Sequence, residues 1–129
     1  RRYHDFVCIL IMSLICKRFE NDDPPYTAQE LSLASKVPIR LTTKVLNELQ
    51  EIQLIHEVEI DPKDETIGFM PSMDINQLNV ALLLDRLDTF GSEAFKVDKD
   101  KEFNKQWEAL LNSREEYYRN NRKILLKDL

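Results

Sequence analysis

The sequence predicts a mainly α-helical winged helix-turn-helix with one small β-hairpin and a long C-terminal helix. Three observations lead there. Gly occurs only 2 times and Pro 5 times in 129 residues, so long regular elements are joined by few turns. Hydrophobic residues make up 43% and charged residues 32%, the composition of a chain that builds a packed core. Two short helical stretches, broken at Val37-Pro38, precede two β-prone segments around a polar turn, the element order of a winged helix. The length suits a winged-helix domain over residues 1–98 and a long helix over 99–129, packed on that domain or on a partner subunit.

The first helix is expected over about residues 3–20. Its centre, Phe6-Val-Cys-Ile-Leu-Ile-Met-Ser-Leu-Ile-Cys16, is apolar nearly all round and calls for burial by several neighbours. The run is too short to span a bilayer, which takes about 20 residues. Lys17-Arg18 follows it directly, without a signal-peptide cleavage pattern. Asn21-Asp-Asp-Pro-Pro25 is a stop and a turn. Thr27 and Glu30 have capping-box spacing, with Tyr26 and Leu31 placed as a hydrophobic staple, so a short helix should run from Ala28 to Lys36. Pro38 ends it by restricting Val37 and lacking a donor.

Leu41, Val45, Leu46, Leu49 and Ile52 are helically spaced and predict a helix over Ile39–Gln53. Leu54–Ile60 and Thr66–Met70 then read as strands about the turn Asp61–Glu65. Asp74 is expected to cap a helix over Ile75–Thr89, with Gly91 at its left-handed end. Residues 92–98 look irregular. A last helix over Lys99–Leu126 should carry the stripe Phe103, Trp107, Leu110, Leu111, Tyr117, Tyr118 and Leu125. So small a body cannot cover that stripe, which makes Phe103, Trp107, Leu111 and Tyr118 candidate contacts for a partner protein or a second copy.

No catalytic constellation emerges. Gly68 and Gly91 are isolated, so there is no phosphate-binding loop. Asp85 and Asp88 share a helix face, but a solvated pair beside Arg86 is the simpler reading. Cys8 and Cys16 lie about 12 Å apart along one helix, too far to bridge, and read as buried free thiols of a reducing compartment. His4 is the nearest imidazole, and its spacing matches no common zinc pattern, so no metal or cofactor is expected. The basic segment 114–129, with Tyr117 and Tyr118, reads as a solvated helix end before it reads as an RNA or membrane contact.

The helix-turn-helix outline is the functional clue. In DNA readers of this build the second helix enters the major groove. Here it offers Arg40, Thr43, Lys44 and Asn47, which can share one face. Glu48 and Glu51 offset its two cations, and the wing tip 61–65 holds one Lys against two Asp and one Glu. An acidic wing is a poor phosphate ligand. A non-catalytic interaction or regulatory domain is therefore expected ahead of a dimeric DNA-binding regulator.

Tyr26-Thr-Ala-Gln-Glu-Leu-Ser-Leu-Ala34, Val37-Pro-Ile-Arg-Leu41, Val45-Leu-Asn-Glu-Leu49, Leu54-Ile-His-Glu-Val58, Pro71, Asp74-Ile75 and Leu83–Gly91 carry a resemblance. Together they resemble the cytosolic C-terminal region of the YihY/BrkB family of bacterial inner-membrane proteins, formerly labelled ribonuclease BN. The resemblance implies a membrane-embedded part of the same chain and a place on the cytoplasmic side of the inner membrane. A start at Arg1-Arg2 rather than Met would suit such a fragment. The ribonuclease label finds no nuclease site among these residues. The same stretch resembles winged-helix regulators that hold an iron–sulfur cluster on three cysteines, but no cysteine follows Cys16.

Overall fold

The computed structural model describes residues 2–92 and 103–129. Helix α1 (Arg2–Glu20) is the spine. Val7, Cys8, Ile11, Met12, Ile15 and Cys16 are all buried along it, and it packs against three other helices, the hairpin and the C-terminal tail. A helix apolar on nearly every side is stable only at such a centre. It stops where Asp22 turns left-handed ahead of Pro24-Pro25. Arg18 straps the turn, donating from Nε to the Pro24 carbonyl at 2.6 Å and lying 4.4 Å over the Tyr26 ring.

Helix α2 (Ala28–Ser35) starts with the expected capping box. The Glu30 N–H donates to Thr27 Oγ1 at 3.1 Å, and the Thr27 N–H to Glu30 Oε1 at 3.0 Å. It ends at Lys36, left-handed at φ 59°. The turn into α3 (Ile39–Glu51) is fixed by two hydroxyls: Ser32 donates to the Val37 carbonyl at 2.6 Å, and buried Thr42 reaches the Val37 and Pro38 carbonyls. Val45, Leu46 and Leu49 bury the inner face of α3. The helix ends two residues before the expected Gln53. Gln53 is left-handed at φ 63°, its N–H donates to the Gln50 carbonyl, and the Leu54 N–H donates to Leu49. These two bonds form a Schellman end, with Gln where Gly is usual.

Strands β1 (Ile55–Asp61) and β2 (Thr66–Pro71) form the antiparallel wing, with Ile55 opposite Pro71, Val58 opposite Gly68 and a bulge between Glu59 and Asp61. Tyr26 forms a bridge to Phe69, tying the loop before α2 to β2. Gly68 is required by space: a Cβ there would lie 2.6 Å from Ile60 Cδ1 and 2.8 Å from Pro25 Cβ.

The C-terminal half departs from expectation in three places. Helix α4 spans Val80–Ser92, not Ile75–Thr89. Asp74 accepts from the Asn76 N–H in a turn, and Asn79 caps α4 instead, its Oδ1 accepting from the Leu82 N–H at 2.8 Å. Two residues of the right type compete, and the one whose backbone is held by the tail wins: Leu125 bridges Asn79, and the Val80 N–H donates to Ile124. Gly91 lies within α4, and no glycine among the described residues has positive φ. The last helix, α5, spans Asn104–Asn121 and does not continue to residue 126. The chain turns there, and a short 3-10 turn, Leu126–Asp128, returns to α1 with Leu126 fully buried. Lys127 anchors it on Glu20 at 2.8 Å. Most of the stretch 92–98 and the expected helix start at Lys99 lie outside the described residues.

Candidate nucleic-acid interface

The amphipathic build of α3 positions the candidate face. With Thr42, Val45, Leu46 and Leu49 turned into the core, Arg40, Thr43, Lys44 and Asn47 are all exposed on the outer side. The structure thus brings the four donors onto one surface, as their spacing requires. It also separates Glu48 from them. Glu48 turns towards α1, where its Oε2 meets His4 Nε2 at 2.5 Å. Of the two carboxylates counted against the cations along the sequence, Glu48 is thus half-buried and paired with His4. Glu51 remains exposed at the far end of the helix, and Gln50 donates to Glu57 on the wing at 3.4 Å.

The wing keeps its acidity. Glu57, Glu59, Asp64 and Glu65 are exposed, with Lys63 as the one cation of the tip. Its backbone is shaped by Asp61, whose carboxylate accepts from the Lys63 N–H at 2.9 Å. Exposed Ile60 and Ile67 add apolar surface. His56 lies on the exposed wing face, its Nδ1 2.9 Å from the Ser72 hydroxyl.

Helix α5 has no buried residue. Phe103 and Leu111 are exposed, and Trp107 and Tyr118 are half-buried. An open groove of 680 Å³ lies between α4 and α5, lined on one side by Leu82 and Thr89 and on the other by Trp107, Leu111 and Tyr118. Arg114 crosses it to Asp88 at 3.0 Å and Asp85 at 3.7 Å. The two aspartates thus serve a surface ion pair, with Arg114 where Arg86 was expected. Arg86 instead donates to the Ile52 carbonyl at 2.9 Å, closing the C-terminal end of α3.

One cluster was not legible in the sequence. His4 and Cys8 lie a turn apart on α1, with Nε2 and Sγ 3.7 Å apart, and Glu48 joins them from α3, 44 positions away from His4. The other ring nitrogen of His4, Nδ1, faces Asp5 Oδ1 at 3.3 Å. Burial, with Glu48 and Asp5 nearby, pushes the Cys8 thiol up from 9.0 to about 12. Burial alone does the same to Cys16. Both thiols are reduced and inside the core. A search for ligands close along the chain misses this group, because its third member arrives through the packing of α3 on α1. The local signal was the four-residue spacing of His4 and Cys8.

No protein-family model and no curated protein matches this sequence. Solved structures do match over nearly its full length. The IscR structure from T. potens superposes with a TM-score of 0.63 at 15% identity, covering 97% of this chain and 81% of that one. CymR, the global cysteine regulator of B. subtilis, gives 0.63 at 14%, covering 97% and 91%. Staphylococcus aureus CymR gives 0.61 at 10%, covering 97% and 93%. At such identities the likeness establishes the fold: this chain has the winged-helix fold of transcriptional regulators.

That finding corrects the resemblance to YihY/BrkB membrane proteins. The matching structures are regulators of the Rrf2 family, and they cover the whole chain where the resemblance covered about half. The residues that suggested it, the capping box, the Val37-Pro38 break and the apolar spacing of α3, are those that make the helix-turn-helix itself. With the resemblance goes the support for a membrane-embedded part of the chain and for a place at the inner membrane. No helix among the described residues is long and apolar enough to cross a membrane.

Proposed function

We propose that this chain is a dimeric DNA-binding transcriptional regulator whose α3 enters the major groove. The observation that carries this reading is the outer face of α3, where Arg40, Thr43, Lys44 and Asn47 are exposed together and Glu48 is held aside by His4. These side chains are of the types that engage DNA: Arg40 and Lys44 neutralise phosphates, Asn47 suits the edge of adenine, and the Thr43 methyl suits the thymine methyl. The whole-chain likeness to regulator structures supports it at the level of fold. The stripe of Phe103 and Leu111, exposed, with Trp107 and Tyr118, half-buried, supports self-association through α5, which would set two α3 helices against successive half-sites. The acidic wing contributes little to phosphate binding in this scheme, so affinity rests on α3.

The test is salt-titrated binding to duplex DNA, wild type against Arg40→Glu/Lys44→Glu. Two cations on each subunit make four per dimer and a slope of log K on log salt of about −3.6, or about 150-fold weaker binding between 50 and 200 mM salt. The double variant should lose binding, and sedimentation should give a dimer that Leu111→Glu dissociates. Absence of binding at 50 mM salt and tens of micromolar protein, or a slope the double variant leaves unchanged, overturns the reading. The acidic wing would then favour the second reading, a protein-contact module.

A further inference from the structure

We infer that His4, Cys8 and Glu48 form a binding site for a divalent transition-metal ion of the zinc class. They are the one group among the described residues in which three ligand-type side chains converge, each ligand atom within 4.8 Å of the others. The set combines an imidazole nitrogen, a sulfur and a carboxylate oxygen, the ligands that zinc takes.

The geometry is close to what an ion requires. Bonds of about 2.1 Å to nitrogen and 2.3 Å to sulfur at a tetrahedral angle set the two ligand atoms about 3.6 Å apart. His4 Nε2 and Cys8 Sγ stand at 3.7 Å. Glu48 Oε2 is nearer to Nε2, at 2.5 Å, because the two are in direct contact. An ion replaces that contact and moves the oxygen out by about 1 Å, within the rotamer freedom of a glutamate whose side chain is 23% exposed. On binding, Cys8 gives up its thiol proton, and Nε2 is left as a bare lone pair directed at the ion.

A second feature supports this site independently. Asp5 faces His4 Nδ1. A carboxylate on the outer nitrogen is the arrangement that fixes the tautomer and ring plane of metal-binding histidines. Three protein ligands leave a fourth position for water or a small anion. Because Glu48 belongs to α3, an ion here clamps α3 to α1. The site stands whether or not α3 reads DNA, and its test uses no nucleic acid.

The experiment is a titration of reduced, chelator-stripped protein with Co²⁺, followed by displacement with Zn²⁺. One equivalent of Co²⁺ should produce a thiolate-to-cobalt charge-transfer band and the intense visible bands of a four-coordinate ion, and Zn²⁺ should bleach both. Cys8→Ser should remove the charge-transfer band, and Cys16→Ser should leave it intact. His4→Gln, which keeps a polar side chain at this half-buried position, should weaken binding at least tenfold. Asp5→Asn should weaken it about 10- to 100-fold, as outer partners of metal-binding histidines do. Zn²⁺ should also raise the Tm of wild type more than that of His4→Gln. A six-coordinate cobalt spectrum without a thiolate band, a band that survives Cys8→Ser, or equal affinity in His4→Gln overturns the inference.

Discussion

Leu126 is the sharpest test of how the tail belongs to the fold. It sits in the 3-10 turn after α5, is fully buried, and lies in the cluster that α1 organises. Its N–H donates to the Leu78 carbonyl at 3.0 Å, so the tail is held by backbone as well as by side chain. Leu126→Ala removes the equivalent of about three methylenes, or about 2.4 kcal/mol of transfer free energy. A rigid helix on one side and a bonded turn on the other limit collapse of the cavity, which brings the cost to about 3–4 kcal/mol. Urea denaturation measures it. With a slope of about 1.5 kcal/mol per molar, the midpoint should fall by about 2 M at an unchanged slope. Ile124→Ala, two residues away and 46% exposed, should cost under about 1 kcal/mol. A midpoint shift below about 0.5 M for Leu126→Ala, or equal shifts for the two variants, would refute the docking of the tail as a core element.

Asn79→Ala should cost about 1–2 kcal/mol by denaturation because it removes the cap of α4, whereas Asp74→Ala, in an exposed turn, should cost clearly less; the reverse order would restore Asp74 as the cap. Gly68→Ala should destabilise by about 1–3 kcal/mol through its contact with Pro25, and Ile60→Ala should relieve only part of that; a neutral Gly68→Ala would refute the close approach. The Cys16 thiol is raised from 9.0 to about 12 by burial, so between those pH values the unfolded chain releases a proton that the folded chain keeps. This group's share of stability is intact below pH 9 and falls by about 1.4 kcal/mol per pH unit above it. Cys16→Val should remove that share of the alkaline loss, and superimposable pH profiles for variant and wild type would contradict it.

The elements governed by their own neighbours were legible in the sequence. Thr27 and Glu30 close their capping box within one turn, Pro38 breaks the chain wherever it is placed, and the spacing of Val45, Leu46 and Leu49 fixes which side of α3 is buried and so which side carries Arg40, Lys44 and Asn47. These are short-range effects, sterics and hydrogen bonds over four residues or the period of a helix, and they need no partner. The winged-helix order follows from them.

The tertiary structure alone decided what depends on distant residues. Asn79 rather than Asp74 starts α4 because Leu125 pairs with it from the other end of the chain. Gly91 continues a helix that local preference would have ended. The tail turns back because α1 offers Leu126 a place in the core. Glu48, counted in sequence against the cations of α3, meets His4 of α1 instead, which brings together three side chains of metal-ligand type. Local chemistry sets which elements can form. Burial of apolar surface and the pairing of charges across the fold set where each begins, ends and points, and no local window of sequence contains those partners.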